Sequence, residues 1–400
     1  MGPGHEFDAV ETADTLLQQV WIQGQIEKHQ MVGKLEVAAL AADLRADQYL
    51  GAEFNVGEPG RRPVALDEAQ SLMKYCRVDA GPGAQRCANI HGRFCAGGND
   101  QHLVRTQLLQ LCRLAARYET QPQLISRPLT GKILISAFYE PSTRTRASFD
   151  LAGKRLGADV LNLDVNTSSR NFSETATTEI YTLEAMQVDI MVVRDASAGV
   201  PAYIARHVKP HVSILNAGES DVSHPTQGLL DMLTIRQHKG TFENLVVAIV
   251  GDIRHSRVAM SDSHALETLG VGELRLISPP VLAPDADKVP GAKILHNLRD
   301  GLKDADVVMA LRIQRERIGN LDGIPGIDEY YANFGVSRES IKFAKPDAIV
   351  MHPGPMNRGI EIEGVLADGP QSVITQQVRN GVAIRMAVLD RISRTIAARQ

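Results

Sequence analysis

Hydrophobic and polar positions follow two alternating periods along most of the chain. From about Leu103, short apolar runs bounded by glycine or asparagine predict buried strands, and longer stretches with helical spacing predict helices. The first series predicts helices at Gln107–Tyr118, Arg146–Leu156, Thr175–Met186, Ala202–Val208 and Thr226–Gln237, and strands at Ile133–Phe138, Val160–Leu163, Ile190–Val193 and Val212–Leu215. This alternation is typical of a parallel sheet covered on both faces.

The pattern restarts after Gly240. It predicts strands at Leu245–Val250, Leu274–Ile277, Val307–Leu311 and Ala348–Met351, and a helix at Ala259–Leu269. A last amphipathic stretch, Val382–Ala398, predicts a closing helix that buries one face. The predicted fold class is therefore α/β, with two doubly wound parallel-sheet domains joined by helices.

The first 95 residues have a different pattern, with few strand-like runs. They contain a helical stretch at Leu35–Leu50 and linker-like segments at Gly57–Arg62 and Gly81–Gly83. We interpret residues 1–95 as an appended α-rich or partly irregular segment. The predicted domains follow at residues 96–238 and 239–378, and residues 379–400 form a C-terminal helix that packs back on the first domain.

Composition narrows the class of protein. Apolar residues make up 44% and charged residues 22% of the chain, which is close to an ordinary globular protein and argues against a disordered or collagen-like one. A net charge of −4 without a long basic run gives no electrostatic attraction for nucleic acid or an anionic membrane surface. The apolar runs are too short to span a bilayer, so we expect a cytoplasmic protein.

All four cysteines lie in the first third of the chain, so most of the protein must hold together without disulfides. Cys87, His91 and Cys95 are spaced by four, with Cys76 upstream, and could ligate zinc. Their spacing lacks a CxxC pair, and the neighbouring glycines suggest a loop. We therefore favour reduced thiols over a metal site.

A compact group of polar residues follows the strand Ile133–Phe138. Ser142, Thr143, Arg144 and Thr145 lie where a helix begins, and Arg146 follows directly. Free backbone N–H groups, three hydroxyls and a fixed cation form an anion site that suits phosphate. An ordinary helix cap needs one hydroxyl, so we favour anion binding over capping.

A second polar group occurs where the helix Thr226–Gln237 begins. His224 and Gln227 flank Pro225, which suits a first helical turn. In a doubly wound sheet this turn and the Ser142 turn both lie at the carboxyl ends of the strands, where ligands bind. His224 could hydrogen-bond a small substrate or could simply be a surface histidine, and its sequence context alone does not separate the two.

Three arginines also follow strands: Arg194, Arg257 and Arg312, with Gln314 close behind. Guanidinium groups pair with carboxylate and phosphate, so arginines at strand ends in both domains indicate a cleft for two anionic substrates. No glycine-rich nucleotide-binding loop is present.

Together these residues resemble a known family. The segments Phe138–Arg146, His224–Gln227, Val250–Asp252, Leu311–Gln314 and Met351–Pro355 occur in the order and with the spacing of aspartate carbamoyltransferase catalytic chains. The resemblance covers about Leu103 to Gln400. The His-Pro-Gly-Pro form at residues 352–355 is similar to the aspartate branch and differs from the His-Cys-Leu-Pro form of the ornithine branch.

The resemblance implies a role for each matching residue. Carbamoyl phosphate would bind in the first domain and aspartate in the second, without metal or other cofactor, and the catalytic set would be Arg144, Thr145, Arg194, His224 and Gln227. The carbamoyl phosphate ligands would be Ser142, Thr143, Arg144, Thr145, Arg194, His224, Gln227, and Ser168 from an adjacent subunit. The aspartate ligands would be Arg257, Arg312, Gln314, Gly354 and Pro355. The family also implies a homotrimer, alone or within a larger assembly.

One loop departs from the family pattern. The family has serine, then lysine four residues later, then Gly-Glu-Thr, whereas here Ser168 is followed by Phe172 and then by Ser173-Glu174-Thr175. An apolar ring cannot replace an ammonium group that contacts both substrates. Arg170 or Arg155 could supply charge from another position.

Three hypotheses follow from this departure. The chain could carbamoylate aspartate in pyrimidine biosynthesis, with activity weakened by Phe172. It could instead be a weakened paralogue that serves as a binding or assembly subunit, or a carbamoyltransferase for another amine. We rank them in that order, because the remaining ligand set is intact.

Overall fold

The computed structural model describes residues 98–121, 125–163, 181–314 and 323–399. The expected N-terminal helix Leu35–Leu50, the candidate zinc ligands Cys76, Cys87, His91 and Cys95, and the loop that contains Ser168 and Phe172 lie outside these ranges.

The first domain contains a parallel sheet of four strands in the order β2-β1-β3-β4. The central strands β1 and β3 are largely apolar and almost wholly buried, as a sheet covered on both faces requires. The strands are β1 (Ile133–Phe138), β2 (Asp159–Leu163), β3 (Ile190–Asp195) and β4 (Ser213–Glu219), and the helices are α1 (Gly98–Thr120), α2 (Thr143–Arg155), α3 (Val200–His207) and α4 (Pro225–Lys239).

The second domain contains a parallel sheet of five strands in the order β7-β6-β5-β8-β9. The strands are β5 (Val246–Val250), β6 (Glu273–Ile277), β7 (Lys293–Leu295), β8 (Val307–Ala310) and β9 (Ile349–Met351), and the helices are α5 (Arg257–Leu269), α6 (Leu298–Leu302), α7 (Ile327–Phe334), α8 (Gly364–Ala367) and α9 (Ile374–Arg399). The two parallel sheets confirm the predicted α/β class.

The long helix α9 returns the chain to the first domain. It packs against α1, α2 and α4, and its residues Ile384, Ala387 and Leu389 are fully buried. It begins at Ile374, earlier than the predicted residue 379, because the polar side chains of its first turns are held by partners in α4. No helix among the described residues is long and apolar enough to cross a membrane.

Several observed boundaries differ from the predicted ones at the carboxyl ends of strands. β3 includes Arg194, and β4 continues through Asn216 and Gly218, beyond its predicted end at Leu215. Helix α2 begins at Thr143 rather than Arg146, so the Ser-Thr-Arg-Thr group forms its cap and first turn. Polar residues continue these elements because tertiary partners satisfy them, which an apolar pattern does not reveal.

Candidate active site

The turn between β1 and α2 has the geometry of an anion cradle. Ser142 is the extended residue before the helix, with φ −158°, and its carbonyl accepts the Arg146 N–H at 3.1 Å. The N–H groups of the first turn therefore point away from the helix without helical acceptors. Thr143 and Arg144 are exposed, whereas Thr145 is buried. Such a helix start favours a bound anion.

The two arginines of this turn have different environments. The Arg146 guanidinium stacks over the Phe138 ring, 5.1 Å from its centroid, so it packs within its own domain. Arg144 instead reaches the second domain, where a Cβ added to Gly354 would lie 3.1 Å from its Cζ atom. Although the residue as a whole is exposed, partial burial of its guanidinium and the nearby charge of Arg312 lower the pKa of Arg144. The guanidinium groups of Arg144 and Arg312 therefore form a positive region, which a bound anion would stabilise.

A carboxylate links two other predicted site arginines. Glu140 accepts two hydrogen bonds from Arg257 Nη2, at 2.6 and 2.5 Å, and Arg194 Nε lies 3.5 Å from its Oε2 atom. Arg194 Nη1 also donates to the Ala217 carbonyl at 3.0 Å. We did not predict a role for Glu140. The sequence signal that could have identified it is its position two residues after β1, within the segment Phe138–Arg146 that carries the resemblance.

Gly218 permits this arrangement of arginines. Its φ is +118°, in a region that side chains rarely adopt, and an added Cβ would lie 2.7 Å from Arg194 Nη1 and 3.0 Å from Arg257 Nη1. Any larger residue would displace both guanidinium groups.

A hydrogen-bonded turn holds His224 at the start of α4. Asn216 Nδ2 donates to Ser223 Oγ at 2.9 Å and to Glu219 Oε1 at 3.2 Å, and Ser223 Oγ donates to the same carboxylate at 3.0 Å. Burial raises the pKa of Glu219. The His224 N–H donates to Ser261 Oγ on α5 at 2.8 Å, so the turn is tied to the second domain's first helix.

Gln227 lies one turn further along α4 and belongs to a buried chain of hydrogen bonds. Its Nε2 donates to both carboxyl oxygens of Asp231, at 3.2 and 3.1 Å, and Gln377 Nε2 donates to Asp231 Oδ1 at 2.6 Å. Gln377 Oε1 in turn accepts the His352 N–H at 3.0 Å. This chain connects the first domain to the loop after β9.

The candidate aspartate ligands are positioned by two buried acids. Asp252 accepts the N–H of Gln314 at 3.1 Å and the N–H of His255 at 3.2 Å, which holds the segments after β5 and β8 together. Glu361 contacts His352 Nε2 at 3.1 Å. Since the Gly354 N–H donates to His352 Nδ1 at 2.8 Å, Nε2 carries the proton. The Gly354–Pro355 peptide bond that follows is cis.

The structure therefore brings most of the predicted site residues to the edge where the two sheets meet. Arg144 lies with Arg312 and Gly354, and Arg194 lies with Arg257, while His224 and Gln227 begin α4. Pro355 is exposed beside Gly354. Ser168 and Phe172 are outside the described residues. In the described ranges, no group of three or more His, Cys, Asp or Glu side chains is arranged to hold a metal ion.

Two family models match consecutive parts of the chain. Residues 99–237 match the carbamoyl-phosphate-binding domain of aspartate/ornithine carbamoyltransferases, and residues 243–392 match the Asp/Orn-binding domain of the same family. The gap between the matches falls at the end of α4, where the sheet of the second domain begins.

Solved structures of both branches are similar to the chain. Aspartate transcarbamoylase from Trypanosoma cruzi, in complex with carbamoyl aspartate and phosphate, is 29% identical, with a TM-score of 0.64 over 72% of this chain and 92% of that one. Ornithine carbamoyltransferase from Pyrococcus furiosus is 28% identical, with a TM-score of 0.63 over 72% of this chain and 94% of that one. The chain belongs to the aspartate/ornithine carbamoyltransferase family.

Proposed function

We propose that the protein transfers the carbamoyl group of carbamoyl phosphate to the amino group of L-aspartate, giving N-carbamoyl-L-aspartate and phosphate for pyrimidine biosynthesis. The observation that carries the proposal is the charge of the cleft, where Arg144 of the first domain meets Arg312 of the second. Because each domain contributes one cation to the cleft, the site suits two anionic substrates.

The same charge favours aspartate over ornithine as the acceptor. The side chain of ornithine ends in an ammonium group, which needs a carboxylate partner in the site. Glu140 lies among the site arginines but is already paired with Arg257 and Arg194. A dicarboxylate instead gains from Arg312 and the amide of Gln314.

The chemistry follows from the donors around the carbamoyl carbon. Ser142 to Thr145 hold the phosphate, and Arg194, Thr145 and His224 donate to the carbonyl oxygen as the amine attacks. These donors stabilise the oxyanion of the tetrahedral intermediate. The leaving phosphate takes the proton that the amine loses, so the reaction needs no separate base and no cofactor. Holding both substrates in one cleft supplies much of the acceleration.

Turnover with the two acceptors tests the proposal. Purified protein with carbamoyl phosphate should form N-carbamoyl-L-aspartate from aspartate and no measurable citrulline from ornithine, because only aspartate matches the positive cleft. Product formation is followed by mass spectrometry, with heat-denatured protein correcting for spontaneous carbamoylation. Citrulline formed faster than carbamoyl aspartate would contradict the assignment of the acceptor.

We also propose a homotrimer in which the loop at Ser168 completes the site of a neighbouring subunit. The first domain has large apolar side chains that are exposed in the single chain, which suits an interface. These residues are Leu151, Leu161, Tyr181, Met186 and Tyr203.

The mass in solution checks this arrangement. Mass photometry or sedimentation at micromolar concentration should give three times the 43.6 kDa mass of the chain. The variant Leu161→Asp, which places a charge on the exposed apolar surface, should shift the population toward monomer. A wild-type monomer would contradict a shared site.

Phe172 favours a second candidate function. If no other cation replaces the lysine of the family pattern, the chain would bind carbamoyl phosphate without efficient transfer and would serve as a binding or assembly subunit. Carbamoyl phosphate binding without turnover, in the wild-type trimer, distinguishes this candidate from the first.

A further inference from the structure

One buried carboxylate joins the two ends of the turn after β9. Residues 352–357 form this acceptor turn, which includes two of the candidate aspartate ligands. Glu361 Oε1 accepts the Asn357 N–H at 2.5 Å and lies 3.1 Å from His352 Nε2. The side chains of Glu361 and His352 are each only 1% exposed. The ends of the acceptor turn are therefore held by a single oxygen that is screened from solvent.

His352 carries this constraint into the middle of the acceptor turn. Because its Nε2 proton faces Glu361, Nδ1 is an acceptor and receives the Gly354 N–H at 2.8 Å. A neutral imidazole with no acceptor at Nε2 can place its proton on Nδ1 instead, and that proton would oppose the Gly354 N–H. Glu361 therefore selects the tautomer of His352 that holds Gly354 in place.

The pair is anchored to the rest of the second domain and to α9. The Glu361 carbonyl accepts the Val336 N–H at 3.0 Å, and Ile362, which is 0% exposed, pairs with Val336 in a parallel bridge. The His352 N–H donates to Gln377 Oε1 at 3.0 Å. Since both backbones are held from outside the acceptor turn, the contact between Glu361 and His352 fixes the turn relative to the domain.

The acceptor turn meets the cleft at Gly354. Its φ is +70°, and a Cβ added there would lie 3.1 Å from Arg144 Cζ. Burial lowers the pKa of His352, and the contact with Glu361 opposes this effect. The charges of Arg144 and Arg312 lower the pKa further. A neutral His352 therefore lies within electrostatic reach of both arginines that are proposed to hold the substrates.

We propose that Glu361 and His352 are positioning residues that act as one unit: Glu361 keeps the Nε2–H tautomer of His352, and this tautomer holds Gly354 in the conformation that receives the acceptor substrate. Loss of the tautomer releases the acceptor without releasing carbamoyl phosphate. The inference rests on the proposed function, since it concerns the binding of aspartate. A turn that is already fixed raises affinity, because binding does not have to order it. A pair with a purely structural role would instead stabilise the fold without separating the affinities for the two substrates.

Two ligands test the positioning. Succinate keeps both carboxylates of aspartate but has no amino group, so its binding to protein saturated with carbamoyl phosphate can be titrated without turnover. Glu361→Leu should weaken succinate binding about tenfold, because His352 loses its partner and the acceptor turn is no longer fixed. The affinity for carbamoyl phosphate itself should change less than about threefold, since the Ser142–Thr145 turn lies in the other domain. Isothermal titration calorimetry measures both affinities.

Two further variants are matched to Glu361→Leu. Glu361→Gln keeps an oxygen that accepts both N–H groups, so it should bind succinate within about twofold of wild type. Glu363→Leu makes the same exchange two residues later, where the carboxylate pairs with the exposed Arg338, and its affinity for succinate should also stay within about twofold. A loss confined to Glu361→Leu assigns the effect to the buried carboxyl group.

His352→Asn tests the route through the histidine. The asparagine oxygen takes the place of Nδ1 and accepts the Gly354 N–H, but the amide has no tautomer for Glu361 to select. Adding Glu361→Leu to this variant should therefore weaken succinate binding only about twofold, rather than the roughly tenfold expected in the wild-type background. The remaining loss reflects the freed Asn357 N–H.

The dependence on pH tests the neutral state of His352. A protonated imidazole donates from both nitrogens, so the Gly354 N–H loses its acceptor. Because the pKa of His352 lies below its ordinary value of 6.5, wild-type succinate affinity should fall as the pH drops below 6.5, and His352→Asn should lose less over the same range. Protonation of succinate itself is common to both proteins. Within the described part of the chain, the charged groups that act on His352 are Glu361 of its own loop, Arg144 of α2 and Arg312 after β8, while α9 contributes the uncharged Gln377.

The outcomes separate this inference from the proposed function. If wild-type protein saturated with carbamoyl phosphate does not bind succinate, aspartate is not the acceptor and the proposed function is wrong. If wild type binds succinate and Glu361→Leu weakens the binding of both ligands equally, the pair has a structural role only and the inference is overturned. A loss of about tenfold that persists in the His352→Asn background, or an acid response that is unchanged there, overturns the selection of the tautomer. If Glu361→Leu does not fold, the pH comparison of wild type with His352→Asn decides between the two roles.

Discussion

Replacing Phe172 with lysine should raise carbamoyl transfer to aspartate about a hundredfold, since one regained charge-assisted contact contributes about 3 kcal/mol to the transition state. The expectation follows from the resemblance, in which a lysine at this position contacts both substrates. Steady-state kinetics with carbamoyl phosphate and aspartate measure the change. Arg144→Ala in the same background should abolish the gain, because the phosphate would no longer be held in place.

A matched variant separates charge from shape. Phe172→Met introduces a flexible, unbranched side chain without an ammonium group, so it should leave turnover close to that of wild type. If Phe172→Met accelerates the reaction as much as Phe172→Lys, the phenyl ring merely obstructs the cleft. Fast wild-type turnover that is lost in Arg170→Ala would show that the arginine already supplies the charge.

Loss of the Arg144 guanidinium should weaken carbamoyl phosphate binding about a hundredfold or more, because a charge-assisted contact with phosphate contributes about 3 kcal/mol. The guanidinium lies at the helix start, against Gly354 and close to Arg312. Calorimetric titration of Arg144→Ala with carbamoyl phosphate and with inorganic phosphate measures the effect.

Lys154→Ala is the appropriate control for this loss. It removes one positive charge from the other end of α2, where Lys154 is exposed, and should change either affinity less than about twofold. If Arg144→Ala binds carbamoyl phosphate as tightly as Lys154→Ala does, the assignment of the Ser142–Thr145 turn as the phosphate site is wrong.

The order of strands and helices was predictable from the sequence because the sheets are buried. β1, β3 and β5 are short apolar runs between polar segments, and that pattern is nearly unambiguous in an α/β protein. One strand and three helices of the second domain were missed: β7, α6, α7 and α8. β7 has three residues with an exposed lysine at its start, and the three helices have only five, eight and four residues, so none shows a sustained period.

The positions of the candidate site residues in the fold were predictable where local spacing carries the information. The Ser142 and His224 turns each join a strand end to a helix start, so their positions follow from the element order. The pairing of Glu140 with Arg257 joins residues 117 positions apart, and the contact of Gln377 with Asp231 spans 146 positions. Such partners depend on how the two domains meet, which no local pattern encodes.

The return of α9 to the first domain has a consequence for how the protein is made. Because α9 covers α1, α2 and α4, the first domain finishes its core only when α9 has left the ribosome. Until then its nascent apolar surface is exposed while the whole second domain is being translated. A fragment that ends before Ile374 should therefore aggregate or require a chaperone, although it contains every strand of both sheets.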